Sequence, residues 1–130
     1  GRKVPMHGSI LFTVADKHKQ EAADLASRFH EVGFRIWATE GTAKFFAEQG
    51  IPCKIGYKIG EDSVNLIDLI QKGKVQYVVN TMTKGKQSER DGFQIRRMSV
   101  ENGVPCLTSM DTVEAILKVI ESMSFKMEVM

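Results

Sequence analysis

Strand-like and helix-like segments alternate five times along this chain, and that alternation restricts the possible folds more than any other feature. Short β-branched and aromatic runs predict strands at 9–15, 34–38, 52–55, 75–81 and 104–108. Apolar residues at helical spacing follow each run, and a glycine closes four of these helices. Because the links are short, the strands must be parallel and joined by right-handed helical crossovers. We therefore predict one α/β domain: a doubly wound, Rossmann-like, five-stranded parallel sheet with helices on both faces.

Polar residues before each apolar repeat predict where the helices begin. The stretch 82–90 is expected to be a polar loop, and the Met-rich tail 123–130 is a packing strand, a frayed end or a linker remnant. Residues 1–8 are a lead-in to the domain, which spans 1–130. The predicted caps are Asp16, Thr39 or Thr42, Asp62 or Ser63, Asp91, and a capping box from Asp111 to Glu114.

Composition excludes several classes of protein. The 130 residues are enough for one domain, and 42% hydrophobic with 26% charged residues is typical of a globular protein. A net charge of +2 is too small to indicate nucleic-acid binding. The longest apolar runs are strand-sized, so no membrane span is expected. With no signal segment, we expect a cytoplasmic protein whose Cys53 and Cys106 are free buried thiols. The three histidines show no metal-ligand spacing.

Neutral polar residues and lysines follow the carboxyl ends of the predicted strands. Ligands of doubly wound sheets bind at that edge, and hydroxyls, amides, helix N-termini and lysines suit phosphate oxygens. The sequence therefore predicts a site for a phosphorylated small molecule. The residues at this edge are Thr13, Asp16, Lys17, Lys19, Thr39, Glu40, Gly41, Thr42, Lys58, Asn80, Thr81, Thr83, Lys84, Gly85, Lys86, Thr108 and Ser109.

Each of these residues alone has a simpler role. A threonine before a helix commonly caps it, a loop lysine is commonly solvated, and an asparagine after a strand commonly forms a turn. The chain has no GxxxxGK[ST] or GxGxxG motif and no pattern for a Cys/His or Ser/His/Asp nucleophile. Asp16, Asp62 and Asp91 are interpreted as caps or exposed groups, so no residue is predicted to be catalytic.

Three blocks, "ATEGTA", "NTMTKGK" and "FQIRRMSVENGVPCLTSMDT", carry a resemblance to a known family. Together they resemble the C-terminal allosteric domain of the carbamoyl phosphate synthetase large chain, of the Bacillus-like bacterial type, within the methylglyoxal-synthase-like family. The resemblance extends from "GSILFTVADK" to the last helix. It implies the same five-stranded fold and a regulatory domain that is not itself an enzyme.

The resemblance also implies an effector and a parent enzyme. The effector would be UMP or a related molecule, IMP or phosphoribosyl pyrophosphate, controlling carbamoyl phosphate synthesis for pyrimidine or arginine pathways. The parent chain would be a glutamine-hydrolysing, ATP-dependent ligase that uses ATP with Mg or Mn outside this domain, which itself needs no cofactor. The implied partners are the catalytic domains of the same chain and a glutaminase small chain, in an oligomeric parent, with no nucleic acid or membrane.

By motif, the resemblance assigns effector-binding roles to eleven residues. It places phosphate near the lysines and the "TEGT" turn, and the base or ribose near Asp91 and Ile95. Met82 replaces a threonine of enteric members, and the loop is one residue longer, which leaves Thr83, Lys84 and Lys86 outside the assignment. The eleven are Thr13, Lys19, Thr39, Gly41, Thr42, Lys58, Asn80, Thr81, Asp91, Ile95 and Ser109, with Thr108 as an alternative to Ser109.

Two other functions stay open. A free-standing lyase of the methylglyoxal synthase type would act on dihydroxyacetone phosphate, but the position of its catalytic aspartate falls on Ser63, with Asp62 one residue away. Because a misplaced carboxylate loses most of its catalytic value, we do not expect this activity. The chain could also be a purely structural or oligomerisation module.

Overall fold

A computed structural model of the chain describes residues 4–57, 65–81 and 85–129. Five strands alternate with five helices, and a short 3-10 turn, Asp16–His18, precedes the first helix. The strands are Ser9–Thr13 (β1), Arg35–Ala38 (β2), Lys54–Ile55 (β3), Tyr77–Asn80 (β4) and Cys106–Leu107 (β5). The helices are Lys19–Glu31 (α1), Glu40–Glu48 (α2), Leu66–Gln71 (α3), Lys86–Glu101 (α4) and Met110–Val129 (α5).

The five strands form one sheet in the order β3-β2-β1-β4-β5, and every pair is parallel. The predicted doubly wound α/β fold is therefore confirmed. The chain adds β2 and β3 on one side of β1 and then returns to add β4 and β5 on the other side. The winding direction changes between β1 and β4, and a crevice for a ligand forms at the carboxyl ends of such strands.

The central strand β1 is buried on both faces, because helices cover both. Ile10 and Phe12 face the larger core with α1, α2 and α5, while Leu11 faces a second core with α3 and α4. The Phe12 ring meets Phe46 of α2 edge-on at 5.5 Å between centroids. This packing explains why β1 reads as a continuous apolar run instead of an alternating one.

The predicted caps of the first two helices do not form. Asp16 is the first residue of the 3-10 turn and makes no cap hydrogen bond to α1. Thr39 occupies the N-cap position of α2, but its side chain accepts no backbone amide, and it donates instead to the Thr42 hydroxyl at 3.3 Å. Helix α3 is capped by Asn65, whose Oδ1 accepts the Asp68 amide at 2.9 Å. The predicted alternatives for that cap, residues 62 and 63, lie outside the described residues.

The last two helices are longer than predicted. Helix α4 begins at Lys86, so Asp91 lies inside the helix and residues 86–90 are not a loop. Helix α5 begins at Met110 with Ser109 as its cap, because the Ser109 hydroxyl accepts the Thr112 amide at 3.2 Å. The predicted capping box at Asp111 is therefore wrong. The tail continues α5 to Val129, which none of the three interpretations of the tail foresaw.

Two compositional predictions can be compared with the structure. Cys53 and Cys106 are free, as expected, but half-buried instead of fully buried. Burial raises the pKa of the Cys53 thiol to about 12. Within residues 4–57, 65–81 and 85–129, no helix is both long and apolar enough to cross a membrane. The same ranges hold no cluster of three or more His, Cys, Asp or Glu that could bind a metal ion.

Candidate functional site

A cavity of about 390 Å³ opens at the switch point, over the carboxyl ends of β1, β2 and β4. This volume is in the range of small-molecule binding sites. We call it the switch-point cavity. Nine of the eleven residues predicted for the effector line it: Thr13, Lys19, Thr39, Gly41, Thr42, Asn80, Thr81, Asp91 and Ile95.

The N-terminus of α2 forms one wall of the switch-point cavity. The first bond inside the helix runs from the Ala43 amide to the Thr39 carbonyl at 2.7 Å. The amides of residues 40–42 therefore have no carbonyl partner within α2. Since the Thr39 side chain accepts none of them either, this helix start keeps donors for an anion.

The Lys19 ammonium lies over this helix start. A Cβ built on Gly41 would meet the Lys19 Nζ at 3.5 Å, so the missing side chain of Gly41 leaves space directly in front of the charge. Lys19 is largely enclosed, with 23% of its side chain exposed. The positive end of α2 and the lysine charge thus face the same small volume, which favours a bound anion.

Asp16 forms an ion pair with Lys19. Its Oδ1 lies 2.8 Å from the Lys19 Nζ, and its own side chain is 93% exposed. The hydrogen bond from Lys19 lowers the pKa of the Asp16 carboxyl below its ordinary value. An exposed ion pair contributes little to stability, so an anionic ligand can take over the lysine at small cost. The sequence interpretation of Asp16 as a cap missed this role.

The floor of the switch-point cavity is a buried polar network. The Thr13 hydroxyl donates to the Asn80 Oδ1 at 2.8 Å and lies 3.2 Å from the Val79 carbonyl. The Asn80 amide donates to the Gly92 carbonyl at 3.1 Å. Thr13 and Asn80 are thereby bound to each other and to α4, so their first function is to fix α4 against the sheet.

Thr81 closes the cavity next to the 3-10 turn. Its hydroxyl accepts the Ala15 amide at 2.9 Å and lies 3.2 Å from the His18 Nδ1. On its far side is a separate depression of about 260 Å³. Ser109 lines that depression and not the switch-point cavity, as does Thr108. The structure therefore places Ser109 as the α5 cap, apart from the other predicted residues.

Helix α4 supplies the opposite wall, which the sequence reasoning only partly identified. Asp91 accepts a hydrogen bond from the Gln87 side chain at 2.9 Å, and Ile95 adds a buried apolar surface. Gln87 and Ser88 were missed because residues 82–90 were expected to be a loop, and Gly92 was expected in the helix but was not assigned to the site. The spacing of residues 88, 92, 95 and 99, all on one helical face, is the signal that could have revealed them. Val14 and Leu66, which add further apolar lining, were also missed.

The described lining carries one cation, Lys19, and two carboxylates, Asp16 and Asp91. The second predicted cation, Lys58, lies outside the described residues, as do Thr83 and Lys84. Lys86 is exposed at the start of α4 and is not part of the lining. Attraction of an anion to the described part of the site therefore depends on Lys19 and the N-terminus of α2.

A family model described as the MGS-like domain matches residues 21–108, about two thirds of the chain. The match runs from α1 to the end of the fifth strand region. It includes the α2 and α4 walls of the switch-point cavity, whereas Thr13, Asp16 and Lys19 lie before it.

Proposed function

Because the chain belongs to the MGS-like domain family, we propose that it is a regulatory domain that binds a phosphorylated small molecule in the switch-point cavity. The proposed ligand is UMP or a related effector, IMP or phosphoribosyl pyrophosphate. The proposed context is the large chain of a carbamoyl phosphate synthetase. The observation that supports this most directly is the Lys19 ammonium in front of Gly41 at the start of α2.

The phosphate would bind at the N-terminus of α2. Its oxygens would accept the amides of residues 40–42 and the ammonium of Lys19, replacing Asp16. The hydrogen bond between the Thr39 and Thr42 hydroxyls is long, at 3.3 Å, and therefore weak. Both hydroxyls can turn to a phosphate oxygen at little cost. Hydrogen bonds to a charged group contribute about 1.5–3 kcal/mol each, which is enough for a specific phosphate seat. Lys58 would add a second charge, as the resemblance implies.

The remainder of the effector would lie toward α4. Leu66 and Ile95 are both almost fully buried and offer an apolar surface for a planar base. Asp91 and Ser88 offer oxygen atoms to ribose hydroxyls or to the edge of the base. Such a ligand would touch α2 and α4 at once and would therefore change how these helices are held relative to each other.

Regulation requires that the effector binds two states of the parent protein with different affinity. Helix α4 is the proposed reporter, because the Asn80 bond to Gly92 already ties it to the strand beneath the ligand. The catalytic domains of the same chain, with ATP and Mg or Mn, and a glutaminase small chain would respond to it. In this proposal the domain itself performs no chemistry.

Calorimetry with UMP, IMP and phosphoribosyl pyrophosphate tests the binding part of the proposal. We expect saturable binding of at least one of them, weakened tenfold or more by Lys19→Gln. The matched control is Lys17→Gln, which removes the same charge two residues away from an exposed side chain that does not line the cavity. Equal loss in both variants, or no binding at millimolar concentration, would contradict the proposal.

A second assay separates a binding domain from a lyase. The protein is incubated with dihydroxyacetone phosphate, and methylglyoxal is measured. The two described carboxylates of the cavity are engaged, Asp16 with Lys19 and Asp91 with Gln87. We therefore expect no product above background. Sustained turnover, lost in Asp91→Asn or Asp62→Asn, would replace the regulatory proposal with an enzymatic one.

A further inference from the structure

A second cavity of about 390 Å³ lies on the α3 side of the sheet, near the amino ends of the strands. Residues from β1, β2 and β3, from α3 and from the segment that follows α3 form it, and none of them lines the switch-point cavity. Four of the lining residues are cations: Arg35, Lys54, Lys72 and Lys74. We call it the basic cavity.

The charge of the chain is concentrated in the basic cavity. Its lining has four cations and one carboxylate, Asp68, an excess of three positive charges. The whole chain has a net charge of +2, so the residues outside this cavity together carry a net negative charge. Within the described ranges, the five ion pairs lie elsewhere, and none includes any of these four cations. A concave surface of one sign focuses its field on a ligand of opposite sign.

One of the four cations is held in position by an aromatic ring. The Lys54 Nζ lies 5.5 Å from the centroid of the Trp37 ring, within the range of a cation–π interaction. Trp37 in turn is half-buried and packs against the core beneath α3 and α4. Strand pairing sets this contact, because Trp37 and Lys54 are register partners in β2 and β3. A charge already placed in the cavity loses less conformational freedom when a ligand binds.

We propose that the basic cavity binds a small molecule that carries a di- or triphosphate group. A single phosphate carries about −1.5 to −2 charges near neutral pH, so an excess of three positive charges matches more than one phosphate. The Arg35 guanidinium can bind two oxygens at once, and the lysines add point charges. The limited volume favours a small ligand over a nucleic-acid strand, which needs an extended basic groove. This site is separate from the proposed effector site and does not depend on it.

The fluorescence of Trp37 is the readout, since it is the only tryptophan in the chain. The probes are sodium triphosphate and pyrophosphate at low ionic strength, with orthophosphate for comparison. We expect a saturable change in emission, with triphosphate binding more tightly than orthophosphate and more weakly as salt is added. Failure of triphosphate to saturate the signal at millimolar concentration, or equal affinity for orthophosphate, would overturn the proposal.

Charge variants then locate the binding. Lys72→Gln and Lys54→Gln should each weaken triphosphate binding about tenfold, as expected for one lost contact to a charged group. Affinity for Lys54→Gln is measured by calorimetry, because that change alters the surroundings of Trp37 directly. Lys44→Gln is the matched control, an exposed lysine of α2 that lines neither cavity. An equal loss in Lys44→Gln would mean that the lysines form only a solvated basic surface.

Two further outcomes would also overturn the proposal. Helix α3 contributes Leu66 to the switch-point cavity and Leu69 to the basic cavity, so a ligand in the first could disturb Trp37 indirectly. The Trp37 fluorescence response to triphosphate must therefore keep its midpoint in Lys19→Gln, even though phosphate binding at the first site weakens. Loss of the Trp37 response in that variant would assign the signal to the first site. Tighter binding of a single-stranded oligonucleotide than of triphosphate would indicate a nucleic-acid surface instead. Thermal melting confirms that each variant is folded.

Discussion

Replacing Gly41 with alanine should make the protein more stable and a weaker ligand binder at the same time. Gly41 lies in the first turn of α2 and does not have a positive φ, so alanine fits its backbone. The nearest atom to the added Cβ is the Lys19 Nζ at 3.5 Å, an ordinary contact that requires no shift. Removing glycine's freedom in the unfolded chain stabilises by about 0.4–1 kcal/mol.

The same methyl group occupies the space that the proposed phosphate needs in front of Lys19. Inserting a methyl group into an occupied, well-packed volume costs about 1–3 kcal/mol. That cost corresponds to roughly a 5- to 150-fold loss of affinity. We expect the melting temperature to rise by about 1–5 °C, given the size of the domain, while the affinity for UMP falls.

Differential scanning calorimetry and titration calorimetry measure the two effects on one preparation of Gly41→Ala. Lys44→Ala in the same helix is the control, because its exposed side chain lines neither cavity. Unchanged affinity in Gly41→Ala would show that the ligand does not approach this helix start. A lower melting temperature would show that the fold needs glycine at this position and that the space beside Gly41 does not accommodate a methyl group.

Three other substitutions test separate parts of the structure. Thr42→Ala should weaken UMP binding more than it lowers stability, because no cap bond is lost; a drop in melting temperature with unchanged calorimetric affinity would contradict this. Asn80→Ala should lower the free energy of unfolding by about 1–3 kcal/mol, since the buried Gly92 carbonyl loses its side-chain donor; denaturant curves matching the wild type would refute it. The hydrogen bond from Arg28 lowers the pKa of the partly exposed Glu121 carboxyl below its ordinary value of 4.5. The ion pair therefore adds to the free energy of unfolding above pH 4.5, and this contribution is lost as the pH falls further and the carboxyl is protonated. Because the pair is partly solvated, we expect at most about 1 kcal/mol, absent in Glu121→Gln, and a pH-independent difference between the two proteins would refute the assignment.

Much of the switch-point cavity was predictable because a parallel sheet brings the carboxyl ends of its strands to one edge. Lys19, Gly41 and Asn80 are far apart in sequence, yet Lys19 and Gly41 follow strands and Asn80 ends one, so all three reach that edge. Ser109 also follows a strand, but its hydroxyl caps α5 and faces a different depression. Which of two roles a hydroxyl takes depends on where the next helix begins, and position in the sequence does not specify it.

The α4 wall was predicted least well. Its first turn, residues 86–90, is polar and exposed, so no apolar repeat marks it as helical. The start at Lys86 follows Gly85, whose φ of 121° is open to glycine but rarely to other residues. The helix is also held from outside by the Asn80 bond to Gly92. A contact between residues of different elements thus stabilises α4, and the local sequence pattern does not contain that contact.

The sequence by itself determined the alternation of elements, the parallel sheet and the polar edge. The spacing of apolar residues and the glycines that end helices are local signals, so each segment contains them on its own. The tertiary structure alone decided which charges share a surface. Lys54 joins Arg35 and Trp37 through the register of β3 on β2, and Lys72 reaches them because α3 packs across that face. Strand order and helix packing arise from burial of the whole core, so the basic cavity is visible only after the chain has folded.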